Sequence, residues 1–204
     1  MTDQVNEQPI QEAPVPTLQA PPSDDPRPHG LRLAKSLILL NTGDGKGKST
    51  AAFGVALRAR ARQWPVAVIQ FLKSADWVTG EALMAEPLGI DFWSLGEGFT
   101  WDSDDLSKDE AEAQEAWRHG KELVDSGRYR LVLFDEITYP LNWGWIDASE
   151  VAATFKNRPA EVSLVLTGRD APPWLIDLAD TVTDMSKVKH AYDLGITAKK
   201  GIDY

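Results

Sequence analysis

A glycine-rich loop, NTGDGKGKST at residues 41–50, lies between an apolar run and an alanine-rich segment, and this loop limits the folds open to the chain. The run LILL precedes it, and a helix is predicted over residues 48–62. In a strand–loop–helix unit of this kind, backbone N–H groups and the helix N-terminus point at one anion, usually a nucleotide phosphate. The loop therefore predicts an α/β domain with a phosphate-binding site.

The side chains of the loop suit a phosphate chain with its metal ion. Lys48 can reach a terminal phosphate, Ser49 can place its hydroxyl on Mg²⁺, and Lys46 adds a second cation. Three glycines leave the backbone open to an anion: Gly43, Gly45 and Gly47. We therefore predict a Mg²⁺–nucleotide site, with a glycine-rich surface turn as the alternative.

One position of the loop departs from the common phosphate-loop pattern. Thr42 stands five residues before Gly47, where that pattern has glycine. The loop alone does not say whether the nucleotide is hydrolysed, donates a phosphoryl group, or is held by its phosphates while another bond reacts.

A second segment, LVLFDE at residues 131–136, is predicted to be a buried strand that ends in Asp135 and Glu136. Carboxylates at the carboxyl ends of parallel strands lie where ligands bind in open α/β folds, so both are candidate Mg²⁺ ligands. In an ATPase, Glu136 would activate a water and Arg169 would stabilise the transition state. A small-molecule kinase would need an acceptor hydroxyl instead, and these residues leave both activities open.

The rest of the chain alternates between short apolar runs and amphipathic segments. Strands are predicted at residues 36–41, 66–71, 91–95, 129–134 and 162–167. Helices are predicted over 48–62 and 107–127, after Asp147, and from Pro172 and Pro173 onward. This alternation predicts a three-layer α/β/α, P-loop NTPase-like domain with a mainly parallel sheet.

Residues 1–30 differ in composition from the rest of the chain. They contain seven of the 13 prolines, few apolar side chains, five acidic residues and one basic residue. Such a segment buries too little apolar surface to offset the entropy lost on ordering. We predict a disordered, Pro-rich tail over residues 1–30 and one domain over residues 31–204.

Charge and composition exclude several classes of partner. The net charge of −10 argues against binding to nucleic acid or to an anionic membrane, which requires a basic surface. The chain has no cysteine, which excludes disulfides and thiol catalysis and suits a reducing compartment. Apolar runs such as LILL are far shorter than the ~20 residues of a membrane span, and no secretory signal pattern is visible. A cytoplasmic protein is expected.

The stretch GEGFTWDSDD places Phe99 and Trp101 two residues apart. In an extended segment both rings face the same side and could form one apolar wall for a flat ligand. Four further tryptophans could contribute to such a wall: Trp77, Trp93, Trp143 and Trp145. Ordinary core or interface packing is the equally simple alternative for all of these rings.

Taken together, these segments resemble the P-loop type of ATP:corrinoid adenosyltransferase. The matching segments are NTGDGKGKSTAAFG, VAVIQFLK, GFTWD, AWRHGKELV, LVLFDEITY, LVLTGRDAP, LADTVTDMSKVKHAYDLG and KGIDY. They occur in this order and cover nearly everything from Leu37 to Tyr204, whereas residues 1–30 contribute little. The set is far more specific than the loop alone.

The resemblance implies a homodimeric enzyme that moves the 5′-deoxyadenosyl group of ATP to Co(I) of a corrinoid and releases triphosphate. The cobalt arrives with the substrate, and a flavoprotein or other reductase supplies the electrons that convert Co(II) to Co(I). The family also lacks glycine at the position of Thr42 and binds ATP in the reverse sense along the loop. Thr42 then marks the type of loop.

The resemblance also assigns residues. Binding of the triphosphate falls to Gly43, Asp44, Gly45, Lys46, Gly47, Lys48, Ser49 and Thr50. The Mg²⁺ candidates are Ser49, Glu136 and Asp135. The residues expected to act directly in the reaction are Lys48, which contacts the leaving group, and Phe99 and Trp101, which crowd the lower face of the corrin and displace its axial ligand.

Two alternatives to adenosyl transfer remain at this point. A P-loop ATPase or kinase would produce ADP, whereas adenosyl transfer releases intact triphosphate. A non-catalytic, nucleotide-dependent corrinoid carrier would bind the corrinoid without forming a cobalt–carbon bond.

Overall fold

The computed structural model describes residues 23–24, 28, 30–72, 78–95 and 106–204. The chain divides into two units, Met1–Leu33 and Ala34–Tyr204, and all the helices and strands given below lie in the second. The tail predicted over residues 1–30 lies almost wholly outside the described residues.

A six-stranded parallel sheet forms the middle layer of the domain. Its strands are β1 (Ile38–Thr42), β2 (Val66–Phe71), β3 (Asp91–Leu95), β4 (Leu131–Asp135), β5 (Ser163–Thr167) and β6 (Thr181–Asp184). Their order across the sheet is β3-β2-β4-β5-β1-β6, so β1 lies between β5 and β6. Because all the pairings are parallel, the carboxyl ends of the strands meet at one edge.

Helices cover both faces of this sheet. They are α1 (Lys48–Ala61), α2 (Gly80–Leu88), α3 (Leu106–Asp125), α4 (Thr138–Asn142), α5 (Ala148–Asn157) and α6 (Pro173–Leu178). On one face, α3, α5 and α6 pack against strand residues such as Ile69 and Phe134. On the other face, α1 and α2 pack against residues such as Val68 and Leu133. Consecutive strand residues therefore belong to different cores, and the predicted three-layer α/β/α fold is confirmed.

The five predicted strands are all present: β2 and β3 have the predicted ends, and the ends of the other three differ by at most two residues from the prediction. The buried stripe of α3 is also as predicted: Ala113, Ala116, Trp117, Gly120, Leu123 and Val124. Sequence patterns missed β6, because TVTD is short, polar and exposed along its length on an outer strand. They also missed α2, since that helix begins at Gly80, contains Pro87 and is followed by Gly89.

Among the residues that the structure describes, no helix is both long enough and apolar enough to cross a membrane.

The contact between α3 and the sheet depends on Gly120. A Cβ at this position would lie 3.1 Å from Cζ of Phe134 and 3.4 Å from Cγ1 of Ile69. We expect Gly120→Ala to lower the free energy of unfolding by about 1–3 kcal/mol, because overpacking outweighs the higher helix propensity of alanine. Denaturant unfolding measures this. Gly54→Ala in α1 is the matched control, since no atom lies within 4 Å of its added Cβ, and it should raise stability by up to about 1 kcal/mol. A gain of stability in both variants would contradict the packing.

Candidate functional site

The glycine-rich loop connects the end of β1 to the start of α1 at the carboxyl edge of the sheet. Gly43 and Gly47 have φ values of 92° and 118°, which lie in the region that favours glycine. Gly47 is the N-cap residue of α1 and makes no side-chain cap. The free N–H groups and partial positive charge of this helix N-terminus, roughly half an elementary charge, therefore face the loop.

The loop packs tightly against the segment that follows β6. The N–H of Gly45 donates to the Met185 carbonyl at 2.5 Å, and the N–H of Met185 donates to the Thr42 carbonyl at 2.8 Å. A Cβ on Gly45 would lie 2.5 Å from the Met185 carbonyl oxygen and 2.7 Å from that of Ser186. Position 45 therefore requires glycine because the backbone of residues 185–186 lies so close to it, a reason that the loop sequence did not reveal.

Lys48 lies beneath the loop and is 8% exposed. Its Nζ donates to the carbonyl oxygens of Gly43 and Gly45, both at 2.7 Å. Burial lowers the pKa of the Lys48 ammonium, while the charge of Glu136 opposes that shift and the charge of Arg169 adds to it. The cation is thus held by neutral carbonyl groups, which solvate it without cancelling its charge.

Thr42 occupies the position where glycine is common in phosphate loops. Its side chain is nearly buried, and its Oγ1 accepts a hydrogen bond from the N–H of Ala171 at 3.2 Å. Ala171 follows Arg169 in the loop after β5. Thr42 therefore ties the end of β1 to that loop, which glycine could not do because it has no side-chain acceptor.

Asp135 and Glu136 lie at the end of β4, two strands away from β1. Asp135 is fully buried, and its oxygens accept from Thr167 Oγ1 at 2.7 Å and from Gln70 Nε2 at 2.9 Å. The N–H of Glu136 donates to the same Thr167 hydroxyl at 2.9 Å. Glu136 has a φ of 65°, a strained value for a residue with a side chain, and such strain is often found at functional sites.

A cavity of about 260 Å³ brings most of the predicted site residues together. Its lining from the loop consists of Asp44, Gly45, Lys46, Gly47, Lys48, Ser49 and Thr50. Glu136 and Arg169 line its other side. Asp135 and Gly43 are not lining residues; Asp135 supports Glu136 through Thr167, and Gly43 lies at the start of the loop.

The cavity is also lined by residues that were not predicted to belong to the site. Ala198, Asp203 and Tyr204 reach it from the end of the chain, together with His190. Asp203 contacts the loop directly, since its Oδ1 lies 2.6 Å from Lys46 Nζ. The hydrogen bond from Lys46 is the main reason that the pKa of Asp203 is lowered. The segment KGIDY matched the resembled family, and this match was the one signal that could have drawn attention to Asp203.

The predicted aromatic wall is only partly described. Phe99, Trp101 and Trp77 lie outside the described residues. Trp143 packs against Trp145, with ring centroids 4.6 Å apart, and remains 41% exposed. Trp93 packs edge-on against the His119 ring on α3, at 4.7 Å between centroids.

Comparison with known proteins gives a consistent result. The family model of ATP:corrinoid adenosyltransferase BtuR/CobO/CobP matches residues 34–204. A corrinoid adenosyltransferase of Sinorhizobium sp is 40% identical over 206 residues, which cover 91% of this chain and 96% of the relative. Corrinoid adenosyltransferases of Escherichia coli K12 and Salmonella typhimurium LT2, the latter named CobA, are each 39% identical over 170 residues, with 83% of this chain and 86% of each relative covered.

The hydroxyl of Thr167 serves both carboxylate residues at the end of β4, and its removal tests this arrangement. We expect Thr167→Val to lower the free energy of unfolding by about 1–3 kcal/mol, because a buried acceptor and a backbone N–H lose their shared partner. Thr167→Ser keeps the hydroxyl and is the matched control, so it should remain closer to the unchanged protein. Denaturant unfolding of the three proteins measures the difference. Equal stability of the valine and serine variants would contradict the shared hydrogen bond.

Proposed function

Because the chain belongs to the family of ATP:corrinoid adenosyltransferases BtuR/CobO/CobP, we propose that its phosphate-loop cavity holds the triphosphate of ATP as the leaving group of adenosyl transfer. The enzyme transfers an adenosyl group from ATP to a corrinoid in adenosylcobalamin synthesis. The ATPase, kinase and carrier alternatives are not favoured by the family and its named relatives.

The observation that carries this proposal is the convergence of cationic side chains and a helix N-terminus on one cavity. Lys46, Lys48 and Arg169 line the cavity beside the N-terminus of α1, and carboxylates such as that of Glu136 line it as well. A triphosphate leaving group develops negative charge as its bond to carbon breaks. Preorganised cations and backbone N–H groups at that position lower the barrier without reorganising during the reaction.

The chemical step needs alignment and charge stabilisation more than acid–base groups. The electron pair of Co(I) forms the bond to the 5′-carbon of ATP while the carbon–oxygen bond breaks, and its electrons leave with the triphosphate. Cobalt is thereby oxidised formally from Co(I) to Co(III). No proton moves in this step, so the residues of the cavity act by holding and orienting the triphosphate.

The residues present fit a Mg²⁺ ion carried by the nucleotide. Ser49 and Glu136 offer oxygen ligands to the same cavity, and Mg²⁺ in nucleotide sites takes one or two protein ligands together with phosphate oxygens and waters. Among the described residues there is no group of three or more acidic, histidine or cysteine side chains arranged to hold a metal alone. When bound, Mg²⁺ would neutralise phosphate charge. Asp135 would support this site through Thr167, because both of its oxygens already accept hydrogen bonds.

The corrinoid site and the partners of the enzyme are proposed from the resemblance. Phe99 and Trp101 would press on the lower face of the corrin, where loss of the axial ligand makes Co(II) easier to reduce. A flavoprotein or other reductase would supply the electron, the enzyme would act as a homodimer, and it would work in the cytoplasm. The match of the family model from residue 34 onward supports a separate tail over residues 1–30.

Product analysis tests the proposal directly. With ATP, Mg²⁺ and chemically reduced corrinoid, we expect one intact triphosphate for each cobalt–carbon bond, which the visible spectrum of the corrinoid reports. Adenosyl transfer leaves all three phosphates joined, whereas hydrolysis or phosphoryl transfer yields ADP. ADP as the stoichiometric product, or an unchanged corrinoid spectrum, would overturn the proposal.

Lys48 provides the sharpest single-residue test of the cavity. We expect Lys48→Ala to reduce adenosyl transfer by at least about a hundredfold, since a cation held in place next to the leaving group is lost. Lys156→Ala is the control, because Lys156 is exposed on α5 and does not line the cavity. Rates with Co(I) supplied chemically measure both variants. Turnover of the Lys48 variant near that of the control would refute the role of the loop.

A further inference from the structure

Lys46 and Lys48 both line the phosphate cavity, but they are held in different ways. Lys48 is nearly buried and donates to two backbone carbonyl oxygens. Lys46 is more open, with its side chain 42% exposed, and it forms an ion pair with Asp203, whose side chain is 25% exposed. The two lysines of the loop therefore differ in their partners: Lys46 is paired with a carboxylate, whereas Lys48 donates to neutral carbonyl groups.

Asp203 is held in place by its own segment of chain. Its Oδ2 accepts from the N–H of Lys199 at 2.7 Å, while its own N–H donates to the Lys199 carbonyl at 2.8 Å. This pair of hydrogen bonds forms a turn that directs the carboxylate at the loop. The other carboxylate oxygen, Oδ1, is the one that contacts Lys46.

A triphosphate in the loop and the carboxylate of Asp203 require the same ammonium group. Lys46 has three N–H donors, but a carboxylate that remains at 2.6 Å would stand close to phosphate oxygens of the same sign. Binding of the triphosphate therefore breaks or weakens the ion pair. Because the pair is partly exposed, it stabilises the free protein only modestly and can exchange.

We propose that Asp203 is an internal counter-ion of Lys46 that competes with triphosphate and so weakens the hold of the loop on the reaction product. This inference rests on the proposed use of the loop to bind the triphosphate leaving group. A loop with two lysines, backbone N–H groups and a helix N-terminus binds a polyanion strongly, which favours bond breaking but slows product release. When the triphosphate leaves, the Asp203 carboxylate pairs with Lys46 again, and this ion pair stabilises the protein without bound triphosphate. Asp203 is thus a positioning residue that acts through Lys46.

Calorimetric titration with inorganic triphosphate, without Mg²⁺, tests this directly. Asp203→Asn removes the charge but keeps an oxygen acceptor for the N–H of Lys199, so the turn is retained. We expect this variant to bind triphosphate about two- to fivefold more tightly, the range that corresponds to a partly exposed ion pair. Damage to the fold would weaken binding instead. Unchanged or weaker binding by the Asn variant would therefore overturn the inference.

Two further variants separate competition for Lys46 from a general change in charge. Asp193→Asn removes the same charge from another ion pair, that of Asp193 with Lys187, and Asp193 does not line the cavity. It should leave the affinity for triphosphate within about 1.5-fold of the original, because exposed charges at a distance are screened. In a Lys46→Gln background, Asp203→Asn should lose most of its effect, since no ammonium remains to be shared. An equal gain in triphosphate affinity in that background, or with Asp193→Asn, would show that the carboxylate only repels the triphosphate, and it would overturn the inference.

The same titrations distinguish failure of this inference from failure of the proposed function. The unchanged protein must bind triphosphate, and Lys46→Gln must bind it more weakly, if the loop holds the leaving group. Failure of either result counts against the proposed function itself. If both results are obtained but Asp203→Asn binds triphosphate no more tightly than the unchanged protein, only the inference about Asp203 is contradicted.

Discussion

The fully buried carboxylate of Asp135 is the interaction on which the functional edge of the sheet depends. A buried charge is tolerated only when hydrogen-bond donors surround it, and here they come from β2 through Gln70 and from β5 through Thr167. Three neighbouring strands are therefore joined at their carboxyl ends by one side chain. The Thr167 hydroxyl also receives the N–H of Glu136, so the same interaction determines where the chain turns towards the cavity.

The loop after β5 depends on this edge in a similar way. Gly168 has a φ of 141°, and a Cβ there would lie 2.9 Å from Cβ of Thr138. The Thr138 hydroxyl donates to the Arg169 carbonyl at 2.6 Å, while Thr42 accepts from Ala171 two residues further on. Arg169 is thus positioned from both sides, by the helix after β4 and by the end of β1. A change at the carboxyl edge of the sheet would therefore move Arg169 together with Glu136.

Sequence patterns predicted those parts of the fold that depend on local order. Continuous apolar runs predicted the four inner strands β1, β2, β4 and β5, since buried parallel strands need apolar side chains on both faces. The apolar stripe of α3 was predicted from its helical spacing, because this helix buries one face, which includes Trp117 and Val124. The strand β6 is exposed throughout and gains its structure from pairing with β1, and a four-residue polar segment gives no local signal of that pairing.

The candidate site was predictable to a similar extent. The glycine loop and the two carboxylates of β4 were found because each motif is contiguous in sequence and adjoins an apolar strand. Contacts between distant segments were not found, such as those of Gly45 with Met185 and of Lys46 with Asp203. The glycines illustrate the difference. They were attributed to the approach of an anion, yet the tightest approach to Gly45 comes from the backbone after β6.

The different partners of the two loop lysines suit the proposed binding and release of a charged leaving group. In the proposed reaction, a cation that stabilises developing negative charge acts best when its own charge is not cancelled, and Lys48 donates to carbonyl dipoles, which solvate it without cancelling that charge. Burial lowers the pKa of Lys48 and would favour the neutral amine, but the nearby carboxylates, Glu136 foremost, act against that loss. A cation that must release a polyanion afterwards benefits from a replacement anion, and Lys46 has one in Asp203. In the proposed reaction, the loop thus combines one lysine suited to bond breaking with one suited to product release.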